Sequence, residues 1–142
     1  MKEGKNLYFA SDFHLGIPDY ETSLVREKKI IDWLEYVAPN AEKIFLMGDI
    51  FDFWYEYKKV VPKGFVRLQG KIAALVDSGI EIYFFIGNHD MWMFNYFQQE
   101  LGVKLISDEL EFEANGKKFY LHHGDGLGDG DYSYKFLKRI FR

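Results

Sequence analysis

The chain has 142 residues, the size of one domain, and its 48% hydrophobic and 28% charged residues are ordinary for a globular protein able to bury a core. Eighteen Lys and Arg against 22 Asp and Glu leave a net charge of -4, which gives no global attraction to nucleic acid or to an anionic membrane. There are no cysteines, so disulfides and thiolate zinc sites are excluded and any metal chemistry must use oxygen and imidazole ligands.

The polar start, Met1 to Asn6, runs into a short apolar segment without the apolar length of a signal peptide, and no stretch approaches the roughly 20 residues that span a bilayer. A cytosolic protein is the expectation. Leu7 to Ala10 reads as a buried strand, followed by a loop with Gly16 and Pro18. Leu24, Ile30, Ile31, Leu34 and Val37 recur at helical spacing, predicting a helix from Thr22, a candidate N-cap, to Val37, with Pro39 as its stop. Lys43 to Met47 is a second strand pattern, and Val66 to Val76 a second helix, broken by Asp77-Ser78-Gly79. Ile80 to Ile86 is a third strand, and Met91 to Leu101 is expected to be a short helix ended by Gly102. Strands alternating with helices predict βαβ units in a mostly parallel sheet. Beyond them, Val103 to Ile106, Leu110 to Ala114 and Lys118 to His122 read as strands, with Asn115-Gly116 a hairpin signal between the last two. Tyr132 to Arg142 has the pattern of a basic amphipathic helix, and no linker or second domain boundary is visible in 1–142.

Four of these apolar strands run directly into loops of metal-ligand residues: Asp12 and His14; Gly48-Asp49 with Asp52; Gly87-Asn88-His89-Asp90; and His122-His123-Gly124-Asp125. Taken singly, each is a common turn, and Asn88-His89-Asp90 reads equally as turn and cap residues. Jointly they carry more, because ligands in α/β sheets gather beyond the carboxyl ends of the strands, where four separate loops would converge. A carboxylate can bridge two cations about 3.5–4 Å apart, and Asp49, on the middle strand's loop, is the natural candidate. Mixed oxygen and nitrogen ligands without sulfur favour Mn, Fe or Zn over Ca. His122, the last residue of an alternating strand, is expected to pack or hydrogen-bond.

Ser11-Asp12-Phe13-His14, Gly48-Asp49-Ile50-Phe51-Asp52, Gly87-Asn88-His89-Asp90 and His123-Gly124-Asp125 resemble, in order, the D-x-H, GD-x-x-D, GNH-D and HGD blocks of calcineurin-like metallophosphoesterases over residues 7 to 125. The resemblance implies an α/β fold, a layered α-β-β-α sandwich of which this chain holds the N-terminal portion. It implies two divalent metal ions, with Mn the first choice and Fe or Zn as alternatives, the first held by Asp12, His14 and Asp49 and the second by Asp49, Asn88 and His123. His89 would then protonate the leaving oxygen or stabilise charge on the phosphoryl group, and water activated by the metals would attack phosphorus in line.

Within that family, the fuller pattern of Ser11 to Gly16, Gly48 to Trp54 and a His-Gly-Asp block followed by an acid-rich loop resembles the UDP-2,3-diacylglucosamine diphosphatases, which cleave a pyrophosphate in lipid A biosynthesis. That likeness implies a sugar-nucleotide lipid substrate contacted by Asn88, His89 and Asp131, although Gly126 to Asp131 reads equally as a solvated loop. Many proteobacterial members carry Arg after the metal-binding Asn, where this chain has His89. Phe51 to Tyr55 and Met91 to Phe94 either line an acyl or base pocket or pack helix on sheet. The basic tail either rests on the inner membrane as a peripheral contact or packs on its own domain. The family's last motif, Gly-His-x-His, is absent and no histidine follows His123, so a missing C-terminal segment or another chain would complete the site. An inactive scaffold and a general phosphodiesterase or phosphatase are the rival readings, and no basic aromatic groove supports a nuclease.

Overall fold

The structure is a computed structural model and describes residues 2–125 and 127. Strand β1 (Asn6–Ala10) leads to helix α1 (Tyr20–Val37), a 3₁₀ turn (Ala38–Asn40) and strand β2 (Ala41–Leu46). Helix α2 (Val66–Asp77), strand β3 (Glu81–Phe85), helix α3 (Tyr96–Leu101) and strand β4 (Lys104–Ile106) follow, then strands β5 (Glu109–Ala114) and β6 (Lys117–His122). The first four strands form a parallel sheet in the order β1-β2-β3-β4, and β5 and β6 pair as an antiparallel hairpin. Because the strand order follows the chain without reversal, right-handed crossovers place the three helices of the described residues on one face. There α1 packs on α2, and α2 on α3.

The apolar periodicity explains both sheet faces. Ile44, Leu46, Ile82 and Phe84 alternate inward against Ile30, Leu34, Leu68, Ile72 and Phe97 of the helices. The opposite residues, Phe45, Tyr83 and Phe85, meet Leu110, Phe112 and Leu121 of the hairpin. Burial of each such side chain contributes about 1.5–3 kcal/mol, so the two clusters hold hairpin, sheet and helices as three layers, α, β and β. These are the first three layers of the expected sandwich.

Most starts and stops shift from expectation by one or two residues, and two shift by more. The N-cap of α1 is Asp19, not Thr22: Asp19 Oδ1 accepts from Thr22 N at 2.7 Å and Oδ2 from Thr22 Oγ at 3.1 Å, so the helix begins one turn earlier. The expected helix over 91–101 is helical only from Tyr96, because Trp92 is committed elsewhere, its carbonyl accepting from Glu56 N at 3.1 Å beside a parallel bridge to Tyr55. The buried Glu56 carboxylate then accepts from Asn95 N at 2.9 Å and Tyr96 N at 3.2 Å, satisfying the first free N–H groups of α3. The hairpin turn is as expected, with Asn115 at φ 51° and Gly116 at φ 71°, the left-handed pair that a two-residue type I′ turn requires. The pattern over 132–142 lies outside the described residues.

Candidate metal centre

Parallel pairing of β1, β2 and β3 brings their carboxyl ends side by side, and each strand continues into one ligand loop. The loops are bonded to one another through the backbone, with Asp12 N donating to Gly48 O at 3.1 Å, His14 N to Asp49 O at 3.0 Å and Leu15 N to Ile50 O at 3.0 Å. Asp12, His14 and Asp49 are themselves left-handed, at φ 57°, 43° and 52°. For residues other than glycine this conformation persists where surrounding bonds over-determine it, as they do here.

Asp49 is the centre of the arrangement and is almost fully buried. Its Oδ1 accepts from His89 N at 2.9 Å, which fixes the carboxylate plane and leaves Oδ2 facing His14 Nε2 at 3.9 Å and His123 Nε2 at 3.3 Å. Space around it exists only because two neighbours are glycine. A Cβ on Gly87 would lie 2.1 Å from Asp49 Oδ1, and one on Gly48 would lie 2.5 Å from His123 Nδ1. Burial pushes the Asp49 carboxyl up, but hydrogen bonds from His123 and from the His89 amide, with the charges of both imidazoles, hold it below its ordinary value.

His123 reaches this point from the hairpin layer, at the end of β6. Its Nδ1 donates to the Met47 carbonyl at 2.7 Å, so Nε2 carries the lone pair whenever the ring is neutral. Nε2 stands 3.3 Å from Asn88 Oδ1 and 3.3 Å from Asp49 Oδ2. Two atoms bound to one cation at about 2.0–2.2 Å lie roughly 3–3.5 Å apart, so His123 already stands at ligand spacing from both Asp49 and Asn88. On the other side of Asp49, His14 Nε2 lies 3.8 Å from Asp12 Oδ1, a slightly wider set. Groups of ligand atoms within 4.8 Å of one another also include Asp12, Asp49 and His123, and His14, Asp49 and His89. The donor chemistry and the cradle of two glycines fit a pair of divalent cations. Without a cation, the nearby Asp49 carboxylate, against a smaller opposing effect of burial, pushes His123 up to about 9.

Two residues whose roles were not apparent from the sequence organise the ligands. Asp52 accepts at its carbonyl from His89 Nδ1, at 3.1 Å, and its carboxylate stands 3.1 Å from the same atom and 3.6 Å from His14 Nδ1. The two imidazoles meet edge to face with centroids 4.7 Å apart, and Asp52 fixes the ring of His89. Asp90 is wholly buried and clamps the β2 loop to the β3 loop, its Oδ1 accepting from Gly87 N at 2.8 Å and its Oδ2 from Ile50 N at 2.9 Å and Phe51 N at 3.4 Å. Burial outweighs the Gly87 and Phe51 amides and, with the Asp49 charge, pushes Asp90 up to about 6. The Asp-x-x-Asp spacing is the only sequence signal for Asp52. For Asp90 the signal is its place at the end of the GNH-D block, which does not reveal its backbone partners.

His122 accepts at Nδ1 from Gly124 N at 2.7 Å, a hydrogen-bonding role as expected. The aromatic segments split by burial: Phe51, Trp54 and Met93 pack in the core, whereas Phe53, Tyr55 and Phe94 are exposed, with Phe53 and Tyr55 set against Trp92 at centroid distances of 5.7 and 5.9 Å. Asp131 lies outside the described residues.

Comparison with known proteins agrees with this architecture. The family model of the calcineurin-like phosphoesterases matches residues 5–140. The UDP-2,3-diacylglucosamine hydrolase of Porphyromonas gingivalis is 43% identical over 96% of this chain and 52% of its own length, and that of Haemophilus influenzae is 32% identical over 95% of this chain and 55% of its own. The chain thus spans about half the length of the curated relatives it matches. A protein of unknown function from Aquifex aeolicus, AQ665, shares the fold with a TM-score of 0.55 and 18% identity, over 95% of this chain and 70% of its own. The order of the four ligand loops, the layers that bring them together and the match over nearly all of its length make this chain a member of the calcineurin-like phosphoesterase family.

Proposed function

We propose that the protein of which this chain forms the N-terminal portion is a two-metal phosphohydrolase that cleaves the pyrophosphate of a lipid-linked sugar nucleotide, UDP-2,3-diacylglucosamine. The observation that carries the reading is the position of Asp49 Oδ2 between His14 Nε2 and His123 Nε2, at 3.9 and 3.3 Å, where one oxygen can serve two cations. Asp12, His14 and Asp49 would hold the first cation, and Asp49, Asn88 and His123 the second. Two such cations, Mn in this proposal, neutralise phosphate charge and supply a nucleophilic water near neutral pH.

The chain's own residues do the rest. Asn88 presents its amide oxygen beside the second site, and Asp52 holds the Nδ1 proton of His89. Nε2 is therefore the atom from which His89 can donate to the leaving oxygen or to a phosphoryl oxygen. Asn88, His89 and Asp131 are assigned to the substrate, and the similarity to hydrolases of the same name in two organisms supports the lipid-linked substrate. A further segment or another chain would supply the remaining imidazoles, in keeping with the half-length match. The protein would work in the cytoplasm, at the inner membrane surface, with the basic 132–142 segment as a peripheral contact. No helix among the described residues is long and apolar enough to cross a membrane.

Hydrolysis of UDP-2,3-diacylglucosamine by the full-length protein with Mn²⁺, measured beside UDP-sugars without acyl chains, tests the assignment. A clear preference for the acylated substrate is expected. Equal efficiency on both returns the protein to a general phosphoesterase, and no hydrolysis of either supports a non-catalytic scaffold.

A further inference from the structure

Helix α1 takes part in the ligand geometry through the backbone of the first ligand loop. Asp12 and His14 are both left-handed, and bonds from the β2 loop hold only one side of their chain, through Asp12 N and His14 N. The carbonyls on the other side, Phe13 O and His14 O, accept from a single atom of α1, Arg26 Nη1, at 2.9 and 2.8 Å. One turn earlier on the same helix face, the fully buried Ser23 Oγ accepts from Gly16 N at 3.0 Å and donates to Ile17 O at 3.2 Å. Four backbone groups within residues 13–17 are thus satisfied by two side chains three residues apart on one helix.

We infer that Arg26 and Ser23 are positioning residues for the first cation site, holding the Asp12–His14 loop in the left-handed conformation that aims its ligand atoms at Asp49. The inference rests on the two-cation reading of the site. Neither side chain is a proposed ligand: Arg26 acts on the peptide units on either side of His14, and Ser23 on Gly16 N and Ile17 O just beyond them. If Arg26 is removed, Phe13 O and His14 O must turn toward water, and the φ values of Asp12 and His14 are free to relax toward the right-handed region. His14 Nε2 and Asp12 Oδ1 then lose their common direction. The second site keeps its own supports, because Asp90 holds Gly87, the residue before Asn88, and the Met47 carbonyl holds His123. A guanidinium suits the role: it is planar and always charged, and it is already fixed on two consecutive carbonyls, a geometry a flexible ammonium meets less well.

The test is calorimetric titration of metal-free full-length protein with Mn²⁺, with melting temperatures of the metal-free forms measured alongside. Wild type is expected to bind two ions. Arg26→Ala and Ser23→Ala should each weaken one of the two sites by about 10–100-fold, the range for residues that orient a ligand, while the other site stays within about twofold. Arg26→Lys should recover part of the loss. Lys29→Ala, an exposed change on the same helix, should match wild type. Two unchanged sites in both alanine variants would overturn the inference, as would equal weakening of both sites with a matching fall in the metal-free melting temperature. Should Arg26→Ala not fold, Ser23→Ala decides alone. A wild-type protein that binds fewer than two ions defeats the two-cation reading itself, and so is distinct from a wild type that binds two with variants that bind just as well.

Discussion

Replacing Asp49 by asparagine removes one charge from the middle of the site and almost nothing else. The amide oxygen can keep the Oδ1 position and the 2.9 Å bond from His89 N, so the backbone link to the β3 loop survives. The amide nitrogen then occupies the Oδ2 position, 3.3 Å from His123 Nε2, where it donates to a neutral ring and repels a protonated one. In the metal-free protein His123 stands at about 9, chiefly through Asp49, so the substitution should lower it by roughly two units toward the ordinary histidine value near 6.5. That corresponds to a coupling on the order of 3 kcal/mol between the two side chains. The sign follows from the raised value. The pair's contribution to stability is complete below about 6.5 and is lost as pH rises through about 9, so metal-free wild type should become less stable across that window and Asp49→Asn should not. Metal affinity should run the other way, rising about tenfold per pH unit below 9 as the ion displaces one proton, and Asp49→Asn should bind neither ion. Histidine titration by NMR in metal-free protein, with melting at pH 6 and 9, reads both effects. A His123 that titrates at the same pH in wild type and variant would refute the geometry assigned to Asp49.

His89→Ala should lower kcat by about 10²–10⁴-fold while metal content measured by elemental analysis stays near wild type, since His89 is assigned to proton donation and not to either ion. Gly87→Ala puts a Cβ 2.1 Å from Asp49 Oδ1, so the carboxylate must turn away; metal binding should fall at both sites, and wild-type binding would show that the Asp49 position is not required. Asp19→Ala removes the acceptor for Thr22 N and should cost about 0.5–2 kcal/mol in chemical denaturation without changing metal content.

The convergence of the first three candidate ligand loops was legible in the sequence because each follows its own strand by a few residues, and parallel pairing of neighbouring strands needs no further information to bring the loops together. Asn115-Gly116 was legible for a local reason, since that pair accepts the left-handed conformation of a tight hairpin. Asp90 was not, because its three donors belong to the backbones of two different loops and exist only after both have folded. The role of Arg26 was hidden in the same way, its acceptors being carbonyls of a loop 12 and 13 residues earlier in the chain. The overlong α3 shows the converse: apolar spacing over 91–101 is helical, but Glu56 caps the chain at Asn95 and Tyr96, and tertiary bonds override periodicity. The aromatic segment 51–55 resisted assignment because burial alternates along it, with Phe51 and Trp54 in the core and Phe53 and Tyr55 outside.

The strand order itself accounts for which residue can bridge. Neighbouring strands in a sheet lie about 4.8 Å apart, so the backbones that leave β1 and β3 are separated by roughly 10 Å, and their side chains, such as His14 and His89 with centroids 4.7 Å apart, meet over the strand between them. Under the proposed two-metal reading, a carboxylate on the strand between them is the one placed to contribute to both ions. In the order β1-β2-β3 that strand is β2, and its loop carries Asp49. Asp12 and His14 from β1 would then go with the first proposed ion and Asn88 from β3 with the second. His123 can join Asn88 because it enters from the hairpin layer, which packs on Phe45 and Phe85 and so places the end of β6 above the β2–β3 side of the sheet. An acidic residue moved from the β2 loop to either neighbouring loop would keep the composition of the site and lose its bridge.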